Sequence, residues 1–559
     1  MFKEKIVKYI SKESGMKREE VLALLERPNP EFGDYAFPCF ALALRFKKSP
    51  IEIAKELEYK IVKLFDDIEV KAVGPYVNFK IKGEILAKNI VSEILKKRDN
   101  YGKNKKEKEI VMVEFSQANT HKAFHVGHIR GTVLGESIAR ILEFLGKQVL
   151  RVNYQGDTGM HVAKWIWCYQ KYHQNEKLKK DESWVASIYV EAVKKLQENE
   201  KFQEEVNEIN RKLESREDKN LNELWKKTRK ISLDAYEKIY RELNTRFDEY
   251  FFESQFEKRG KEITQELLNK KIAMISDGAV IVDLKKYNLG VWVLLRKDGT
   301  VLYSAKDLAL AEEKFKRFKI DKSIYVVGSE QKLHFYQLFK TLELMGFKKA
   351  EKCKYIPVSL VRKPEGKMSS RTGDNILYSN FKKEVVDYAK KEIMERYPHL
   401  NEKEVEERAA AIAIAAIKYN FLKQDLNKII IFVKEDALKF EGDTGPYLLY
   451  SYARASSIIK KSKKKKFKLD FKNITWQENL LVRKLGDFSE IILKAGHNLE
   501  PNIIANYAYE LAKDFTSFYQ NCQVCGSDQE CCRLALVESF RIVMKNALWL
   551  LGIDVIEEM

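Results

Sequence analysis

Between Glu109 and Asn153 the chain spells out strand, helix, strand, and that order constrains the fold more than any other feature. Glu109 to Phe115 is a short apolar run of the kind that makes a buried strand, and a glycine-containing turn comes after it. Val133 to Leu145 then places apolar residues at helical spacing, and Gly146 stands where a helix C-terminal cap belongs. Gln148 to Asn153 reads as a second strand. Two strands joined by a helical crossover run parallel, so a parallel α/β sheet is expected here.

The rest of the chain organises around this unit. Residues 1 to about 105 read as a small α+β domain, with helical periodicity from Ile51 to Phe65 and a strand at Tyr76-Val77-Asn78-Phe79. The charged string Lys103 to Glu109 is a plausible linker. Asp181 to Lys271 is dense in charge and nearly free of Gly and Pro, which predicts an insertion of long helices packed outside the sheet. Further strands are expected at Ala279 to Leu284, Gly290 to Leu295 and Ser323 to Val327. From about Phe381 to the end the spacing is helical. The expected domains are therefore 1–105, 106–380 with the insertion at 181–271, and 381–559, which suits the three or four domains that 559 residues suggest.

Composition narrows the class. Lys and Arg number 101 against 82 acids, a net charge of +19, which points to a polyanionic partner such as nucleic acid, although a basic surface without a partner has the same composition. No run of about 18 apolar residues exists to span a membrane. The longest candidate, Ala409 to Ile417, ends at Lys418. Glu4 and Glu13 interrupt the N-terminus, so no secretory signal is expected. Seven cysteines without framework spacing suggest a reduced, cytoplasmic protein.

Two segments carry chemistry. His125-Val126-Gly127-His128 opens the predicted helix, where unpaired N–H groups and the helix dipole favour phosphate. Gly127 would let a base or ribose lie against the backbone, and the two imidazoles would donate to a phosphate as charge builds on it. Far downstream, Lys367-Met368-Ser369-Ser370-Arg371-Thr372-Gly373 concentrates two cations and three hydroxyls in a polar loop suited to a polyphosphate. Each segment alone has a bland reading, as polar helix residues or a solvated loop.

Together they resemble the paired signatures of class I aminoacyl-tRNA synthetases, His-x-Gly-His and Lys-Met-Ser-Lys-Ser. Flanking residues narrow the resemblance to arginyl-tRNA synthetases. These are Glu114-Phe115-Ser116, Asn119, Lys122, Ile129-Arg130, Asn153, Gly156-Asp157, Tyr303 with Asp307, Val327-Gly328, Gln331, His334 and Gly445-Pro446-Tyr447. Phe32-Gly33-Asp34-Tyr35 and Leu550-Leu551-Gly552-Ile553 extend the likeness over nearly the whole chain.

The resemblance implies a Rossmann-type catalytic domain, an N-terminal domain that touches the tRNA and an α-helical anticodon-binding domain. It implies that L-arginine and ATP with Mg2+ form arginyl-adenylate, and that the arginyl group passes to the terminal adenosine of tRNA(Arg), releasing AMP and pyrophosphate. Glu114, Asn119, Tyr303, Asp307 and Gln331 would bind arginine. His125, Gly127, His128, His334, Lys367, Met368, Ser369, Ser370 and Arg371 would bind ATP, with His125, His128, Lys122 and Lys367 catalytic. Tyr303 and Asp307, four residues apart on a helix, share one face and suit a guanidinium. Ser370 stands where the general signature has its second lysine, and Lys122 is the expected substitute, with Arg371 the alternative.

Tyr447, Tyr450 and Arg454 are candidates for stacking on and charging against tRNA bases, although tyrosines at helical spacing are often core. Cys522, Cys525, Cys531 and Cys532 have no zinc-site spacing, and no resident metal is expected. A monomer without membrane contact completes the expectation. A synthetase for another amino acid and a catalytically silent RNA-binding paralogue are the rival readings.

Overall fold

The computed structural model describes residues 2–29, 31–362, 377–462 and 467–559. The loop signature Lys367, Met368, Ser369, Ser370 and Arg371 lies outside these described residues.

The expected strand–helix–strand unit is the centre of a five-stranded sheet. Its strands are β1 (Ile110–Phe115), β2 (Gln148–Gln155), β3 (Glu249–Phe252), β4 (Lys322–Gly328) and β5 (Cys353–Val358), in the order β5-β4-β1-β2-β3. Every neighbouring pair is parallel, with Val113 of β1 opposite Ile324 of β4 and Arg151 of β2. The chain builds outward in one direction from β1 to β3, then crosses back to lay β4 on the other side of β1. That reversal opens a crevice beyond the carboxyl ends of β1 and β4, where open α/β sheets hold their ligands. β1 is buried along almost its whole length, as a central parallel strand covered on both faces should be.

Helix α1 (Val126–Phe144) makes the crossover from β1 to β2. Gly135 lets it come close: a Cβ there would sit 2.1 Å from the Phe115 ring. Four charges lie under this crossover. Glu136 accepts from Arg140 at 2.7 Å and from Arg151 at 3.0 Å, and Arg151 also reaches Glu143 at 2.6 Å. Arg151 is wholly buried, so the carboxylates around it are what keep its charge tolerable.

Helices α2 (Met160–Tyr172), α3 (Glu182–Glu198), α4 (Phe202–Ser215) and α5 (Lys219–Glu242) come after β2. They have an apolar cluster of their own that includes Trp165, Trp167, Trp184, Ile188 and Trp225. The expected all-helical insertion at 181–271 needs correcting, because it contains β3, the edge strand of the parallel sheet. With four residues, Glu-Tyr-Phe-Phe, β3 is too short to show a period between charged helices. The strand β5 was also not anticipated.

After helix α6 (Glu257–Asn269), the expected strands near Ala279 and Gly290 are present, but in a separate antiparallel sheet made of Met274–Ser276, Ala279–Asp283 and Val291–Leu295. Helices α7 (Tyr303–Phe318) and α8 (Lys332–Leu344) flank β4 in the chain.

The chain packs as two compact units. One gathers Met1–Arg98, Ile458–Asp487 and Asp514–Phe540, and the other holds the remainder, including the parallel sheet. The first contains an antiparallel sheet, Tyr35–Pro38, Tyr76–Ile81 and Ile68–Val73, with Tyr76–Ile81 in the middle. In the same unit Cys522 meets the Thr475 hydroxyl at 3.4 Å and Cys532 donates to the Asp470 carbonyl at 2.9 Å. From Tyr378 onward the described residues are almost entirely helical. No helix among the described residues is long and apolar enough to cross a membrane.

The buried charge cluster generates a stability prediction. Glu136→Ala takes a carboxylate from two buried guanidinium groups, leaving Arg151 with Glu143 and Arg140 with the Trp549 and Asn244 carbonyls, and should cost about 3 kcal/mol. Hydrogen exchange of the β1 and β2 amides should accelerate accordingly, and unchanged protection would show that the cluster contributes nothing to holding α1 on the sheet.

Candidate active site

At the carboxyl end of β1 the chain must turn out of the sheet and re-enter as α1 within ten residues, from Ser116 to His125. Two non-glycine residues in that turn take left-handed backbone angles, Ser116 (φ 63°) and His121 (φ 61°). Such conformations persist where neighbours over-determine them. Asn153 of β2 donates its side-chain amide to the Phe115 and Ser116 carbonyls at 3.1 and 2.7 Å. His121 meets Thr120 and Thr228 through its two ring nitrogens at 3.0 and 2.8 Å. Neither Ser116 nor His121 was anticipated as a positioning residue, since nothing in composition or spacing marks backbone strain.

This turn delivers the His-x-Gly-His segment to the N-terminus of α1. His125 is the cap residue, and its backbone N–H donates to His128 Nδ1 at 3.2 Å. That bond fixes the His128 tautomer: Nδ1 accepts, so Nε2 carries the proton and is the donor. The two rings stack with centroids 3.8 Å apart. Desolvation pushes the His125 pKa down to about 4 and that of His128 well below the ordinary histidine value, and Lys122 adds to both shifts. Both imidazoles are therefore neutral donors at neutral pH. Gly127 serves this stack, because a Cβ there would touch the His125 ring at 3.0 Å; a nucleotide is not needed to explain that glycine.

Two cavities adjoin at Asn119. The first recess, of about 580 Å³, is lined by Glu114, Asn119, Tyr303, Asp307, Gln331 and His334, which brings together all five residues expected to bind arginine. Its wall is rich in acids, and most of them are already engaged. Glu114 is ion-paired with the buried Lys314, and Gln117 donates to its other oxygen at 3.3 Å. Lys306 pairs with Glu253 at 3.2 Å and Glu257 at 3.5 Å, neither of which was anticipated. Asp307 differs from these. One oxygen accepts from His334 Nε2 at 2.7 Å, while the other is buried with no hydrogen-bond partner. His334 was expected at the nucleotide, but it lies here, held by Trp292 at its Nδ1 (3.3 Å) and with the Tyr303 ring 4.7 Å away. His161, half-buried at the start of α2, lines the same recess and was missed.

The second cavity, of about 590 Å³, is lined by Asn119, Lys122, His125, His128 and residues of α3 that include Tyr189 and Glu191. Lys122 Nζ stands 5.4 Å from the Tyr189 ring centre. Leu377, the first described residue after the loop signature, bridges to His125, and the Tyr378 N–H donates to the Phe124 carbonyl at 2.9 Å. Farther along the chain, on helix Gly445–Lys461, Tyr447, Tyr450 and Arg454 are half-buried. Tyr447 donates to the Ala512 carbonyl at 3.4 Å, and Arg454 lies over the Tyr450 ring at 4.6 Å.

The chain matches three family models: the class I tRNA synthetase (R) catalytic domain over residues 90–432, the DALR anticodon binding domain over 448–559, and the arginyl tRNA synthetase N-terminal domain over 1–81. Among curated relatives, the arginine–tRNA ligases of Clostridium acetobutylicum and Halothermothrix orenii are 38% and 36% identical, with full coverage of both chains. The solved structure of the Thermus thermophilus arginyl-tRNA synthetase superposes with a TM-score of 0.83 at 27% identity, covering all of both chains. A Plasmodium falciparum arginyl-tRNA synthetase, at 23% identity and a TM-score of 0.79, shares the fold.

The depressed histidine pKa has a consequence for stability. Between about pH 6.5 and pH 4 the unfolded chain binds a proton that folded His125 refuses, so stability rises with pH across that window and is lost as the pH falls. The wild type should therefore lose more thermal stability than His125→Asn on going from pH 6.5 to 4.5. Parallel melting curves for the two would overturn this account of His125.

Proposed function

This chain belongs to the arginyl-tRNA synthetases, and on that premise we propose how its two cavities divide the work of an arginine–tRNA ligase. The ligase activates arginine with ATP and transfers it to tRNA. The acidic recess takes arginine, and the cavity beside His125 and His128 takes the ATP phosphates, with ATP entering as its magnesium complex. Asn119, common to both walls, sits where the carboxylate must meet the α-phosphate. The arginine carboxylate attacks that phosphorus and pyrophosphate leaves.

The unpartnered oxygen of Asp307 carries the assignment of arginine to its recess. A buried carboxylate oxygen without a donor is costly, and a guanidinium removes the cost with a charge-assisted hydrogen bond. An apolar side chain would leave it unmet, and a neutral donor would meet it without the charge. Glu114 has a different part: with its charge held by Lys314, it shapes the floor and offers an acceptor to the ammonium group.

On the nucleotide side, neutral His125 and His128 donate single hydrogen bonds to oxygens whose charge grows in the transition state. Lys122 supplies the fixed positive charge, and Lys367 and Arg371 supply charge from the loop. Tyr447, Tyr450 and Arg454 are our candidates for tRNA contact, within or beside the stretch that matches the anticodon binding family. The domain limits 1–105, 106–380 and 381–559, a cytoplasmic setting and a monomeric state complete the proposal.

Asp307→Asn tests the arginine assignment directly. It should raise the KM for arginine about 10- to 100-fold, the size of one lost charge-assisted contact, with the KM for ATP nearly unchanged. An unaltered arginine dependence would remove Asp307 from the site. Lys122→Ala should slow arginine activation, measured as pyrophosphate exchange, by at least about tenfold. Ser370→Lys added to that variant should restore part of the rate. Full activity in Lys122→Ala would mark Lys122 as a solvated turn residue.

A further inference from the structure

Helices α2 and α3, which also help to line the two cavities, bring together three side chains of metal-binding type. Cys168 is on α2, His173 caps its C-terminus and Glu191 is on α3; the sulfur, a ring nitrogen and a carboxylate oxygen all lie within 4.8 Å of one another. Cys168 is wholly buried, while the His173 and Glu191 side chains are 18% and 37% exposed, so the cluster has an apolar back and an open front.

The orientation of His173 is the second observation. Its Nδ1 faces the Glu176 carboxylate at 2.7 Å, and its Nε2 faces Glu191 at 2.9 Å. Glu176 is in turn held by the Trp184 indole N–H at 3.4 Å and by Lys179 at 3.5 Å. A carboxylate on one imidazole nitrogen, itself anchored from behind, is the arrangement that aims the other nitrogen at a metal. Among the described residues, Cys522, Cys525, Cys531 and Cys532 form no comparable group.

We propose that Cys168, His173 and Glu191 bind one zinc-class divalent transition metal, with a fourth position open to water. A thiolate, an imidazole and a carboxylate suit such an ion and disfavour magnesium or calcium. Tetrahedral bonds of about 2.0–2.3 Å place donors about 3.3–3.8 Å apart, so the Cys168 sulfur moves in by up to about an ångström while His173 Nε2 and the Glu191 carboxylate, now 2.9 Å apart, open slightly around the ion. Nε2 of His173 and the carboxylate of Glu191 exchange their mutual contact for the metal, and the His173 Nε2 proton and the Cys168 thiol proton both leave to solvent. Glu191 also lines the cavity that holds Lys122, His125 and His128, so the ion ties α2 and α3 together at the wall of that cavity. This goes against the expectation of no resident metal.

The full chain, stripped with chelator and titrated with Co2+, tests the site. One equivalent should give thiolate-to-cobalt charge-transfer absorption that Zn2+ abolishes. Cys168→Ser should remove the absorption, whereas Cys525→Ser and Cys531→Ser should retain it. Glu191→Gln and Glu176→Gln, which leave the buried cysteine in place, should each weaken Co2+ binding at least about tenfold. No thiolate absorption in the wild type, its persistence in Cys168→Ser, or unchanged affinity in both glutamine variants would overturn the proposal.

Discussion

The turn from Ser116 to His125 is the constraint on which the working parts depend. It has to leave the central strand at a buried edge and reach a helix start without spending its backbone polar groups. Asn153 resolves this by donating from the neighbouring strand to the carbonyls of Phe115 and Ser116. The left-handed angle at Ser116 is held from another side by Thr132 of α1, whose hydroxyl lies 2.6 Å from that of Ser116. With the turn held from β2 and from α1, Asn119 and Lys122 face the crevice and His125 caps the helix. A parallel sheet supplies this because its strand ends converge on one edge, and the crossing back to β4 opens room beside β1.

Charge is distributed within the site by contrast. The chain carries a large positive excess, yet its acidic recess is lined by Glu114, Asp307, Glu253 and Glu257. Lysines satisfy three of them from inside the protein. Lys314 closes Glu114 and Lys306 spans the other two, which leaves their carboxylates positioned but largely spent. Of the four, Asp307 alone retains a buried oxygen without a donor, and His334 restrains its rotation through the other oxygen. A site built in this way holds a cation at one place while avoiding a pool of uncompensated negative charge. Burial sharpens the contrast, since desolvation raises the pKa of Glu253.

The legible and illegible parts of this fold separate along physical lines. The β1–α1–β2 unit could be read because long buried elements print their period on the sequence, and the Tyr303–Asp307 pair because helical spacing puts both on one face. The edge strand β3 could not, since four residues between charged helices carry no period. The packing of His334 against Trp292 and Asp307 was not legible for a related reason: these neighbours are 42 and 27 residues away in the chain, and no local pattern encodes such a contact. The packing role of Gly127 was not legible, because the ring it accommodates belongs to the residue two positions before it. The left-handed angles at Ser116 and His121 leave no compositional trace, as glycine would have done.

The neutrality of His125 and His128 decides how the nucleotide side must work. Charged imidazoles would grip the phosphates of bound ATP before any reaction, and binding the ground state as tightly as the transition state gains nothing in the chemical step. Desolvation among packed rings, aided by Lys122, keeps both uncharged, so each offers a single oriented donor whose benefit grows with the charge on the oxygen it faces. Lys122 thus lines the cavity as a cation and adds to the burial that keeps its two neighbours uncharged. A lysine placed on a separate loop could do the first but not the second. Under the proposed assignment, the fixed charge of Lys122 beside the histidine stack takes the place of the lysine missing at Ser370 while preserving the selectivity of the donors for the transition state.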